Sequence, residues 1–162
     1  MTATIRNILI SVLLTAALFI LVNSAIRTTV VYGRSMLPSL QNGQHVVVVK
    51  VAYLFEEPKR GDVIVFDTNR IDSSIIHRIV GLPGETIELR KGELYVNGER
   101  VNEHYLQGNS ITIPPKTLPL DRYFVIGDNR SVSTWDVISR SNIVGKAYFS
   151  YWPTSEWGLI ED

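Results

Sequence analysis

Residues Ile8 to Ile26 carry no charged side chain, and Arg6 and Arg27 bracket them. A helix of about 20 apolar residues crosses the hydrocarbon core of a bilayer, so this run reads as one transmembrane span of near-minimal length. It leaves the rest of the chain to fold beside a membrane. For a cleaved signal peptide the stretch is long, and Asn23-Ser24-Ala25 is a poor small-x-small site. The run therefore reads as an uncleaved anchor. Its flanking charges, Arg6 on one side and Arg27 and Arg34 on the other, do not decide its orientation.

From Thr28 onward the periodicity is that of strands. The spacing predicts them over His45–Lys50, Asp62–Phe66, Ser74–Val80, Thr86–Arg90, Glu93–Val96, Arg122–Ile126 and Lys146–Tyr151. Each is short, rich in Val, Ile and Tyr, and bounded by Gly, Pro, Asn or Asp. Asn97-Gly98 tolerates the positive φ angles of a tight hairpin turn, and Lys91-Gly92 is a second such turn. No stretch after the anchor shows a helical face. The expectation is a mostly β protein: a transmembrane helix within residues 1–27, then one β-rich domain of antiparallel sheets over 28–162. Val51 to Phe55 and the aromatics of Tyr148 to Trp157 suit a membrane interface as well as they suit ordinary packing.

Basic and acidic residues balance at 16 each, so nothing argues for nucleic acid or a highly charged ligand. Without cysteine there is no disulfide and no thiolate chemistry. The three histidines, His45, His77 and His104, lack metal-ligand spacing, and neither metal nor cofactor is expected.

Three segments carry candidate chemistry. Ser35 sits in Gly33-Arg34-Ser35-Met36-Leu37-Pro38, nine residues past Ile26. A serine hydroxyl becomes a nucleophile only when a neighbouring base takes its proton; serine is also common in turns for its local hydrogen bonds. The second segment, Ile75-Ile76-His77-Arg78-Ile79-Val80-Gly81, interrupts a strand-like run with two polar residues. Alternation sends His77 and Arg78 to opposite faces. The third is a strand ending in Gly127-Asp128-Asn129-Arg130, followed by Ser133 and Asp136.

In that order the segments strongly resemble the bacterial type I signal peptidase family, from the anchor to Ala147. Ser35-Met36-x-Pro38 looks like the nucleophile motif of the family and Gly61 to Phe66 like its next strand. His77-Arg78-x-Val80-Gly81-Leu82-Pro83-Gly84 looks like its general-base motif, and Gly127 to Arg130 its fourth. The resemblance implies a serine endopeptidase anchored in the plasma membrane, with its catalytic domain on the outer face. Such an enzyme removes signal peptides from exported proteins after small residues at −1 and −3. It implies Ser35 as nucleophile, His77 as base, Met36 and Gly33 beside the substrate, Arg78 and Asp128 as a structural pair, and Ser133 as a hydrogen-bond partner of the base. Signal peptides and the lipid bilayer are the implied partners.

The chain departs from that pattern in three places. Bacterial members usually carry lysine where His77 stands. A lysine base must be desolvated to work near neutrality, whereas histidine titrates near 6.5 unaided. The serine–histidine relatives of the endoplasmic reticulum and archaea make His77 compatible with activity; the alternative is a silent or dedicated-substrate homologue binding exported or pilus-type segments. The run after Arg130 is also altered: either Asp136 is shifted by one position, or three residues are inserted before Ser139-Arg140. Asp136 and Asp128 both remain candidates for orienting the base. Finally, Gly33 offers no side-chain donor to an oxyanion.

Overall fold

The computed structural model describes residues 2–68 and 71–161. Met1 and Asp162, the outer limits of the two expected segments, lie outside them. Helix α1 (Thr2–Ala25) is apolar on all sides, and its Leu, Ile, Val and Phe side chains from Ile5 to Val22 project outward unburied. A helix hydrophobic all round needs an apolar environment on every side. The helix ends one residue before the apolar run does: Ile26 opens strand β1 (Ile26–Val30).

The rest is almost entirely β. The strands are β2 (His45–Val49), β3 (Val63–Thr68), β4 (Ile71–Gly81), β5 (Thr86–Arg90), β6 (Glu93–Val96), β7 (Glu99–Arg100), β8 (Ile113–Thr117), β9 (Arg122–Ile126), β10 (Trp135–Ser139), β11 (Ile143–Trp152) and β12 (Gly158–Leu159). They form two antiparallel sheets. The larger runs β1-β2-β11-β3-β4-β9-β10, with β12 on β11; the smaller runs β7-β6-β5-β8. Both expected turns are present: Lys91 and Asn97 take φ of 49° and 52°, each followed by a positive-φ glycine. Among the described residues after α1, helix is confined to two 3-10 turns, Arg140–Asn142 and Thr154–Glu156.

Alternation builds the core. Along β3, Val63 and Val65 enter one apolar cluster with Val31, Met36, Leu40, Val46, Val48 and Ala147. Ile64 and Phe66 enter another with Ile79, Tyr123, Val125 and Ile138. With both faces covered, β3 reads as a continuous apolar run rather than an alternating one. A third cluster joins the small sheet (Ile87, Leu89, Leu94, Ile113) to Val80, Phe124 and Ile126 of the large one. The two sheets therefore share a core at the ends of β4 and β9, the strands that carry the second and third motifs.

Candidate active site

Ser35 follows β1 in a turn fixed at both ends. The Val31 amide donates to the Gln44 carbonyl (2.8 Å) and the Gly33 amide to Asn42 Oδ1 (2.8 Å). Gly33 has φ of +89°, a conformation glycine adopts without penalty. Beyond Ser35, the Leu40 amide closes on the Met36 carbonyl at 2.8 Å. Met36 is 1% exposed. It packs in the cluster that also receives Val65 and Ile76, so it backs the cleft beside Ser35 rather than lining it. That cleft, of about 240 Å³, is lined by Ser35, Val30, Tyr32, Val65, Ile75 and Ile76, together with the small polar residues Thr29, Ser73 and Ser74.

The Gly127–Arg130 turn grips the serine from behind. The Asn129 amide donates to the Ser35 carbonyl at 2.9 Å. A Cβ on Gly127 would lie 2.3 Å from that oxygen and 2.6 Å from Ser133 Oγ, so only glycine fits. Ser133 Oγ accepts from the Gly127 amide (2.7 Å) and donates to the Thr134 carbonyl (2.8 Å). Its hydroxyl is thus engaged by backbone on both sides.

His77 comes in from β4. The register sets Arg78 opposite Ile126, which brings His77 level with Gly127. The imidazole is 3% exposed, lies 5.9 Å from the Phe66 ring, and among the described residues has no hydrogen-bond partner on Nδ1. Burial opposes its charged form and pushes its pKa down to about 4, against a smaller upward pull from the Asp136 carboxylate. Asp136 therefore acts on the ring through space rather than by a hydrogen bond to Nδ1; its Oδ1 accepts from the Val137 amide at 2.8 Å.

Arg78 projects to the opposite face. Its Nε and Nη2 make paired bonds to the Asp128 carboxylate, both 2.9 Å. Nη1 donates to the carbonyls of Gly61 and Glu161, each at 2.7 Å, and Nη2 reaches Ser39 Oγ at 3.3 Å. With Arg78 and Asp128 fully buried and paired, Asp128 is occupied by the guanidinium, which leaves Asp136 as the carboxylate that His77 feels.

A second buried pair joins Arg130 of the third segment to a partner that nothing in the sequence marks. Arg130 donates to Glu103 Oε1 (2.6 Å), the Gly92 carbonyl (2.7 Å) and the Gly127 carbonyl (3.0 Å). Tyr105 joins the two pairs: its hydroxyl donates to Glu103 Oε1 (3.0 Å) and its ring lies 3.9 Å from Arg78 Cζ. Burial first, then the Glu103 charge, holds the Tyr105 phenol above its ordinary range. Arg140 takes no part in this network. It binds Glu57 and the Tyr53 carbonyl, elsewhere on the fold.

Comparison with known proteins identifies the family of the chain. The signature of the family described as "Signal peptidase, peptidase S26" matches residues 4–152. The chain belongs to that family. Its relatives include signal peptidase I of Leptolyngbya laminosa, 34% identical over 90% of this chain and 81% of the relative. Probable signal peptidase I-1 of Synechocystis sp. is 36% identical over 78% and 71%. Signal peptidase IB of Staphylococcus aureus strain COL is 36% identical over 86% and 85%. The crystal structure of a signal peptidase I from Enterococcus faecalis V583 is 29% identical, covers 56% of this chain and 97% of that one, and superposes with a TM-score of 0.47. As an S26 peptidase, this protein is a serine peptidase and hydrolase.

Proposed function

We propose that this chain removes N-terminal signal peptides from exported proteins, with Ser35 as nucleophile and His77 as its general base. The observation that carries this reading is the convergence on one turn of the Ser35 carbonyl, Gly127, Ser133 and a buried imidazole with an unpaired nitrogen. A neutral imidazole at working pH is ready to accept a proton. As Ser35 Oγ attacks the scissile carbonyl, its proton passes to His77. The imidazolium so formed gains from the Asp136 charge, and its proton goes to the departing amine. Water, deprotonated by the same ring, then releases the signal peptide from Ser35. The Ser35 amide is the donor assigned to the oxyanion.

The substrate is an extended peptide lying along the cleft between the β1 side and β4. Main-chain bonds supply affinity there and alternate side chains supply specificity; a cleft of about 240 Å³ suits small residues at −1 and −3. Residues 1–27 serve as a membrane anchor and 28–162 as an extracytoplasmic peptidase domain. The support is α1, whose 24 residues span about 36 Å at 1.5 Å per residue, and whose apolar side chains have no protein cover.

The test is a labelled peptide with an Ala-x-Ala site, incubated with the purified full chain. Cleavage after the second Ala, lost in Ser35→Ala and in His77→Ala with thermal melts unchanged, supports the assignment. A peptide left intact from acid to alkaline pH would sink it in favour of a silent, peptide-binding homologue.

A further inference from the structure

The segment after β11 folds back over the reverse side of the Ser35 turn. β12 pairs with β11, Leu159 opposite Phe149 and Gly158 opposite Ser150, and the Ile160 amide donates to the Tyr148 carbonyl at 3.1 Å. Between this segment and Pro38, Ser39 and Leu40 of the turn lies a hollow of about 480 Å³. Two attachments reach past the hollow. Ile160 packs against the apolar cluster that holds Met36 and Leu40, and Met36 directly follows Ser35. The Glu161 carbonyl accepts from Arg78 Nη1 at 2.7 Å.

That second attachment completes a set. Nε and Nη2 of Arg78 serve Asp128 and Ser39, and Nη1 serves the Gly61 and Glu161 carbonyls, so every N–H of the guanidinium has an acceptor. Arg78 is 1% exposed. Without the Glu161 carbonyl, one buried N–H of a charged group stands unpaired or draws water to the pair. The Glu161 side chain takes no part in this bond and is 86% exposed. Arg78 neighbours His77 on β4. Asp128 neighbours Asn129, whose amide holds the Ser35 carbonyl at 2.9 Å. The segment thus bears on the base and the nucleophile from behind, and none of its residues lines the cleft beside Ser35.

We propose that residues 158–161 are a positioning strap, which fixes the Ser35 turn against the His77 strand through Ile160 and the Glu161 carbonyl. Its effect on rate rests on the peptidase reading above; its hold on the turn rests on the contacts alone. Lifting the strap loosens Met36 and the Arg78–Asp128 pair together. The distance between Ser35 and His77 then fluctuates, while the cleft that binds the peptide keeps its walls.

Two variants test the strap. One ends at Trp157; the other, Ile160→Pro, keeps the whole chain and removes the amide that bonds to Tyr148. Hydrogen exchange read by mass spectrometry should quicken in segments 34–40 and 127–133 of both, with the small sheet (86–96) as slow as in the native chain. On a peptide with an Ala-x-Ala site, kcat should fall on the order of tenfold while KM stays near its native value. Native exchange in both segments would overturn the proposal. So would equal quickening in the small sheet, which marks the segment as a general stabiliser. A raised KM at native kcat would place the segment in the substrate site instead, and quickened exchange with native kcat and KM would remove the positioning role. A native chain that leaves the peptide intact removes the peptidase reading, and the exchange pattern then decides by itself whether the strap holds the turn.

Discussion

His77 is held neutral at a cost that depends on pH. With its folded pKa near 4 and its ordinary value at 6.5, the unfolded chain binds the proton that the folded chain refuses. Stability from this group is complete above pH 6.5 and falls as pH drops towards 4. The full difference, at about 1.4 kcal/mol per unit, comes to roughly 3 kcal/mol. Urea unfolding of the native chain should therefore lose about that much more between neutral pH and pH 4 than unfolding of His77→Gln does. The acid limb of kcat/KM should likewise lie well below the pKa of a free histidine, and a midpoint at or above 6.5 would mean that the ring is solvated in the working enzyme. Gly127 supports a second expectation. Gly127→Ala forces a Cβ to within 2.3 Å of the Ser35 carbonyl, and displacing a reacting group by about 1 Å costs on the order of 100-fold in rate. Peptide cleavage should fall by that order while the circular dichroism spectrum stays that of the native fold.

At the scale of elements, two sheets meet at the turn that carries the third motif, and two buried arginine pairs fasten it. Arg78 on β4 fastens Asp128; Arg130 reaches from the turn itself to Glu103 and Gly92, beside the small sheet. Removing one partner of a buried pair strands the other charge and costs about 3–5 kcal/mol. Glu103→Gln, which keeps shape but removes charge, should destabilise the chain markedly in urea. It should also lower kcat with little change in KM, because the turn it loosens holds Ser35 rather than the substrate. A variant with native stability and native kcat would show that the pair is idle.

That clamp was invisible in the sequence, since Glu103 and Tyr105 lie in an undistinguished polar stretch and their partners are set by the fold. The hairpins at Lys91-Gly92 and Asn97-Gly98 were legible, because a positive φ has a residue-level signature. Strand β8 was not: Pro114 and Pro115 disguise it, and they are tolerated because β8 is the edge of its sheet. β1 was hidden by continuity with the apolar run, whose last residue belongs to the strand. Ser35, His77, Asp128 and Ser133 could be nominated from order and motif. The depressed basicity of His77 could not, because it arises from Phe66 and the other side chains that bury it.

In the whole molecule, a helix, a short strand and a turn follow one another without a flexible linker. β1 is tied along its length to β2, and the turn after it is tied to β9's outgoing end. The path from Ala25 to Ser35 therefore cannot stretch, and the five residues of β1 account for about 17 Å of it at 3.3 Å per residue. This makes the molecule a ruler. With α1 as the proposed anchor and Ser35 as the proposed nucleophile, its zero mark is the membrane surface and its cutting edge stands at one height above it. Substrates should be chosen by how far their scissile bond lies from the end of their own apolar segment, besides the residues flanking that bond. Lengthening or shortening that spacer in a series of otherwise identical substrates should give a rate with a single maximum. Inserting two residues between Ala25 and Ile26, which keeps the pleat in phase, should move the maximum towards longer spacers.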